Sequence, residues 1–227
     1  MASANELTAD ERIQRDVLDE LHFDPGVRPT EVGLELSDGI ATLTGTVDSY
    51  HKKWRAAEAV LRVYGVRAVA NELVVELSSE TAMNDTDLAR AVATALEHSA
   101  EVPLNAVKVN VEQGRVLLEG TVAWHSQRQA AHRIVRQMKG VKEVSDLIEV
   151  RPRDGTFAKP EEIKLQIERA LTRSAQLHAH SIHVSVHEST VSLRGHVRSF
   201  VEREEAGRAA WSLLGVTRVH NELEVWP

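Results

Sequence analysis

Cysteine is absent from all 227 residues, which excludes disulfides, thiolate zinc sites, iron–sulfur clusters and thiol catalysis and leaves the redox compartment undetermined. Aromatic residues are scarce, at 4%, so any core must be built mainly from Val, Leu, Ile and Ala. A basic excess is also missing. The 27 Lys and Arg stand against 34 Asp and Glu, a net charge of −7 with His neutral, which argues against a general nucleic-acid binder. No apolar run approaches the roughly 18 residues a membrane span needs. The first residues, Met1 to Glu11, carry neither a basic n-region nor an apolar h-region, so no secretory signal is expected there and a cytoplasmic location is. What is present is 42% hydrophobic and 27% charged, the balance of an ordinary globular chain. The length suits one large domain or two to three small ones.

The chain repeats itself. Gly45-Thr46-Val47 recurs as Gly120-Thr121-Val122 and as Gly195-His196-Val197, each step being 75 residues. Sliding the sequence by that offset without gaps leaves nine positions identical in all three copies, among them Leu21/Leu96/Leu171, Leu43/Leu118/Leu193, Ala56/Ala131/Ala206, Gly65/Gly140/Gly215 and Val75/Val150/Val225. All nine are apolar or Gly. The copies therefore share a core and its turns, and no set of reactive side chains.

Each copy reads as helix, strand, strand, helix, strand. Thr8-Ala9-Asp10-Glu11 has the pattern of a capping box, and Ile13, Val17 and Leu21 then fall on one helical face. Leu88, Val92 and Leu96 repeat this in the second copy, and Ile163, Ile167 and Leu171 in the third, where Pro160 suits a first helical position. Strict alternation follows in Val32, Leu34, Leu36, in Val107, Val109, Val111 and in Ile182, Val184, Val186, each a strand buried on one face. Short turns lead to a second strand ending in Gly-x-Val, so the two strands are antiparallel neighbours. A second helix is predicted over Trp54–Val63, Gln129–Met138 and Glu204–Leu213, followed by Gly65, Gly140 or Gly215 where a C-cap favours a left-handed residue. The final strand then runs parallel to the second through a right-handed crossover. The predicted class is α+β: three tandem α-β-β-α-β domains, each a three-stranded mixed sheet with two helices on one face. The boundaries expected are an N-terminal extension over 1–9 and domains over 10–77, 85–151 and 160–227. Met83 and Phe157 are the only large apolar side chains in the two links, and both are expected to pack against a neighbouring domain.

The segments Leu43 to Val47 (L-x-G-x-V) and Gly65 to Val75 (G-V-x-x-V-x-N-x-L-x-V), repeated at Leu118–Val122 with Gly140–Val150 and at Leu193–Val197 with Gly215–Val225, resemble the BON domain. Three occurrences in register cover nearly the whole chain, which looks like a triple-BON protein. The resemblance implies a non-enzymatic interaction module associated with osmotic and envelope stress, with anionic phospholipid surfaces, with chaperone-like roles and in some members with potassium. It brings no catalytic residues and no cofactor.

The residues then offer few sites. The turns at Gly45, Gly120 and Gly195, and at Gly65, Gly140 and Gly215, lack the phosphate-binding patterns and read as structural. Asn71, Asp146 and Asn221 recur at an otherwise apolar strand entry, where a side chain capping the backbone is expected. Six of eleven His lie between His178 and His220. His183 and His187 would stand about 13 Å apart on a strand, too far to share an ion, and His178 and His180, which could share one, have no Cys and no acidic partner nearby, so no metal site is expected.

Charge by copy is more telling. Residues 10–84 carry 8 basic and 14 acidic groups, residues 85–159 carry 11 and 10, and residues 160–227 carry 8 and 9. Between Glu119 and Glu143 there is no acidic residue, whereas Arg128, Arg133, Arg136, Lys139 and Lys142 fall there. Arg128, His132, Arg136 and Lys139 share one helix face, with Trp124 in the preceding loop. Trp124, Arg128, His132, Arg133, Arg136 and Lys139 are therefore the candidate contact with an anionic partner, either phospholipid headgroups or an acidic protein face. The alternative is a small-ion sensor or reservoir for potassium or a divalent metal, with the acidic first copy as its place. No catalytic constellation is seen, no nucleic-acid or transmembrane role is expected, and the oligomeric state is open.

Overall fold

A computed structural model of the chain describes residues 8–152, 159–174 and 181–226. In the first unit α1 (Ala9–Phe23), β1 (Val32–Ser37), β2 (Ile40–Val47), α2 (Tyr50–Arg62) and β3 (Ala68–Asn71) follow one another, and β4 (Val74–Val75) resumes the third strand after a break. The second unit has α3 (Asp85–Glu97), β5 (Val107–Glu112), β6 (Arg115–Val122), α4 (His125–Arg136) and β7 (Glu143–Val150). The third has α5 (Pro160–Arg173), β8 (Ile182–His187), β9 (Thr190–Val197), α6 (Phe200–Trp211) and β10 (Arg218–Val225). In every sheet the second strand is central, antiparallel to the first and parallel to the last. The fold is three tandem α-β-β-α-β repeats.

The identical positions explain the shared architecture. Leu43, Leu118 and Leu193 on the central strands and Ala56, Ala131 and Ala206 on the second helices are all 0% exposed. Small alanines let those helices lie close on the sheet, so each unit closes a core of its own. Gly45, Gly120 and Gly195 adopt φ of 121°, 142° and 119°. A Cβ at any of them would collide with the carbonyl oxygen of Glu31, Ala106 or Ser181 respectively, so the hairpin's open end requires glycine. Gly65, Gly140 and Gly215 hold φ of 93°, 87° and 94° in the turn after the second helix.

The second helices start four residues earlier than their apolar periodicity predicts and end one or two residues sooner. Ser49 and Ser199 accept from the N–H of Lys52 (3.4 Å) and Glu202 (3.3 Å). In α4, Gln127 Oε1 instead accepts from the N–H of Ala123 (3.0 Å) and Trp124 (3.1 Å). These caps satisfy free amides and extend the helix over a polar first turn that shows no stripe.

Another tie joins the first helix to the hairpin. Asp10 accepts from the N–H of Asp38 (2.8 Å) and Gly39 (3.2 Å), and Asp85 from Gln113 (2.7 Å) and Gly114 (2.9 Å). In the third copy Pro160 stands in the place of the aspartate, and Ser189 in the place of the turn glycine. The carboxylate and the glycine whose N–H it binds are lost together.

Candidate binding site at the junction of the three domains

The three second helices meet. Each turns the same two repeat positions toward a common cavity of about 820 Å³: Trp54, Gln129 and Glu204 at one, and Glu58, Arg133 and Arg208 at the other. The helix α4 adds His125, Arg128, His132 and Arg136, β7 adds Asp146, and α6 adds Gly207 and Trp211. Two ring contacts cross the domain boundaries. The Arg136 guanidinium lies 3.3 Å over the Trp54 ring, a cation–π contact between the second and first units. His125 stacks on Trp211 with centroids 4.2 Å apart and planes 7° apart, joining the second and third. Tyr50 packs against the core of the second unit, and Trp211 packs against the cores of both the second and the third.

These contacts make the junction. Met83, in the link between the first and second domains, lies beside Gly140 of the second, so it reaches an adjoining domain as expected while staying 39% exposed. Phe157 lies outside the described residues, as do His178 and His180. Each unit keeps a core of its own, but polar side chains from all three line this cavity.

Of the six residues singled out for an anionic contact, Arg128, His132, Arg133 and Arg136 line the cavity, whereas Lys139 and Trp124 do not. Lys139 is exposed, and Trp124, at the N-cap of α4, is 41% exposed. Arg133 forms an ion pair with Glu101 (2.5 Å), and Arg128 one with Asp146 (2.9 Å). Helical spacing identified residues that share a face but gave no sign that neighbouring domains border it.

Family comparison agrees with the threefold pattern. The BON domain family model matches residues 9–76, 84–152 and 160–227. The chain belongs to the BON-domain family. It is 28% identical over 124 residues to "Osmotically-inducible protein Y" of Escherichia coli (strain K12), a match covering 53% of this chain and 62% of that relative. It is 26% identical over 126 residues to "Uncharacterized protein in gshII 5'region" of Anaplasma centrale, covering 54% of this chain and 83% of the other. Among solved structures, the C-terminal domain of CdsD, a structural protein of the type III secretion system of Chlamydia trachomatis, aligns over 94% of this chain and 96% of its own, at 13% identity and a TM-score of 0.27. Likeness at that level says nothing about activity.

Within each BON domain the recurrent Asn or Asp fastens the last strand to the second helix. Asn71 donates to the Lys53 carbonyl (2.9 Å) and accepts from the Leu73 N–H (3.3 Å), and Asn221 does the same with Arg203 (2.7 Å) and Leu223 (3.4 Å). Asp146 still accepts from the Ile148 N–H (3.0 Å), but an ionised carboxylate has nothing to donate. The Arg128 side chain makes the second tie by donating to the Asp146 carboxylate (2.9 Å) and carbonyl (3.3 Å). Its guanidinium is thereby held at the cavity wall.

The BON junction is electrostatically crowded. Burial, aided by the charge of Arg128, pushes the His125 pKa down to about 4, against the opposing pull of Asp146. Burial lowers His51 and His132 in the same direction, and Arg136 adds to the effect on both. Glu58 is pushed up by burial, with Glu204 adding to it. Among the described residues no group of three or more His, Asp or Glu is disposed to hold a metal ion. No helix among them is long and apolar enough to cross a membrane.

Proposed function

We propose that this BON-domain protein is a non-enzymatic binding protein of the osmotic-stress class, and that the helix α4 of its middle domain docks on anionic phospholipid headgroups. The observation that carries this reading is the charge of the segment from Gly120 to Lys142, which holds five Arg and Lys and no Asp or Glu. Arg133, Lys139, Lys142 and Trp124 are exposed, so cationic side chains and an amphipathic ring face solvent at the two ends of one helix. An anionic surface attracts each nearby Lys or Arg by about 1 kcal/mol, and an indole suits the headgroup boundary. The Arg133–Glu101 pair is half exposed and readily exchanged for a phosphate, because exposed pairs contribute little. The family and the name of the Escherichia coli relative support the osmotic-stress association.

Co-sedimentation with vesicles containing phosphatidylglycerol is expected to pellet the full chain, and phosphatidylcholine vesicles are not. The double variant Arg133→Glu/Lys139→Glu is expected to lose most of the pelleting. Equal and negligible pelleting with both lipids would overturn the lipid reading.

A further inference from the structure

His125 and His51 each bury Nδ1 with no hydrogen-bond partner. A neutral imidazole tolerates this, because one nitrogen carries the proton and the other does not. An imidazolium carries N–H on both nitrogens, so a second proton here would be a buried charge without an acceptor. His125 is pressed flat on Trp211 of the third domain, and His51 lies 6.3 Å from the Trp54 ring that Arg136 covers. His132 stands on the cavity wall beside them.

The charges facing these rings come from every packed element. Arg55 and Glu58 lie on α2, with Asp24 behind them, and Arg128, Arg133 and Arg136 lie on α4. Asp146 projects from β7, and Glu204 and Arg208 from α6. Asp146 is engaged by Arg128 (2.9 Å), and Asp24 by Arg55 and Arg62. Arg136 makes no ion pair among the described residues. Glu58, the carboxylate that most offsets it, is itself driven toward protonation by burial. Acidification therefore adds positive charge on the cavity-lining His125 and His132 and on His51 next to the Trp54 ring, and removes negative charge from Glu58 on the same cavity wall.

We infer that the three-domain junction is an acid-released latch, in which protonation of His125, His51 and His132 parts α4 from the neighbouring helices and uncovers its inward basic residues Arg128, His132 and Arg136. The direction follows from linkage. The closed junction binds fewer protons than the open one between about 4, the value to which His125 is pushed, and its ordinary 6.5. Closure is thus undiminished above that window and is lost as the pH falls through it. Opening stands on the junction geometry alone, whereas its consequence for anionic surfaces rests on the function proposed above.

The test follows the full chain by small-angle scattering and far-UV circular dichroism from pH 7.5 to 4.5, beside His125→Phe. Phenylalanine keeps an aromatic ring, as Phe200 does at the same position of the third copy, and takes no proton. The wild type is expected to increase its radius of gyration on acidification with ellipticity unchanged, and the variant to lose that increase. An unchanged wild-type radius, an equal increase in the variant, or an increase accompanied by loss of ellipticity each overturns the latch. Phosphatidylglycerol vesicles added at pH 5 separate the two claims. Opening with more pelleting than at pH 7.5 supports both, and opening with no pelleting at either pH overturns the lipid reading and leaves the latch standing.

Discussion

At the scale of single residues, identity across the copies marks places where the backbone has no alternative. Gly120 holds φ at 142°, and the space a Cβ would occupy belongs to the Ala106 carbonyl. Gly120→Ala is expected to destabilise the chain by roughly 2–3 kcal/mol through backbone strain, measured as a lower urea midpoint with unchanged slope. A midpoint within error of the wild type would show that the hairpin end yields to the methyl group. The importance of this glycine is visible in the sequence as a threefold repeat. Its cause is not, because the carbonyl it must avoid, that of Ala106, lies 14 residues away just before the neighbouring strand β5. Asp146 illustrates the converse. Its place in the repeat was plain, but the recruitment of Arg128 to replace the missing amide donor is a contact across 18 residues that spacing does not encode.

At the scale of elements, periodicity located the two helices and three strands of each repeat, because each buries one face against its own domain, but not the short 3-10 turn Pro29–Glu31 or the break between β3 and β4. The ends were less legible where a polar cap and not an apolar stripe sets them, as Ser49, Gln127 and Ser199 do for the second helices. The clamp between helix start and hairpin turn was missed, since Asp10 and Asp85 have no counterpart in the third copy and so fall outside the set of identical positions. Asp85→Ala removes two charge-assisted bonds to the β5–β6 turn, at an expected cost of about 1–2 kcal/mol. Hydrogen exchange at the Gln113 and Gly114 amides is expected to accelerate while the β8–β9 hairpin of the third domain is unaffected. Unchanged exchange at both amides would remove the clamp from the account of stability.

At the scale of the whole molecule, the domains are coupled by rings and charges at a few helix positions. Trp211 serves the cores of two domains and stacks on His125. Trp211→Leu adopts the residue found at the same position of the first copy, Leu61, so it suits the helix while removing the stack. The expected loss is about 1 kcal/mol of coupling between the second and third domains, seen in calorimetry as a broadening or splitting of their shared transition. A trace that keeps its shape and midpoint would assign the coupling elsewhere.

The amino-acid order settled the repeat, the class of each domain and its core, because those depend on residues near in sequence meeting at periods of two and 3.6. It also singled out the basic helix of the middle copy. It was silent on what that helix faces. The positions lining the junction are not among the nine identical in all copies: Trp54 stands against Gln129 and Glu204, and Glu58 against Arg133 and Arg208. A guanidinium needs a ring opposite it, and an imidazole needs an indole, so like residues at these sites would not complement one another. Complementarity between unlike side chains from separate domains leaves no period in a sequence, and it became visible only when the helices were brought together.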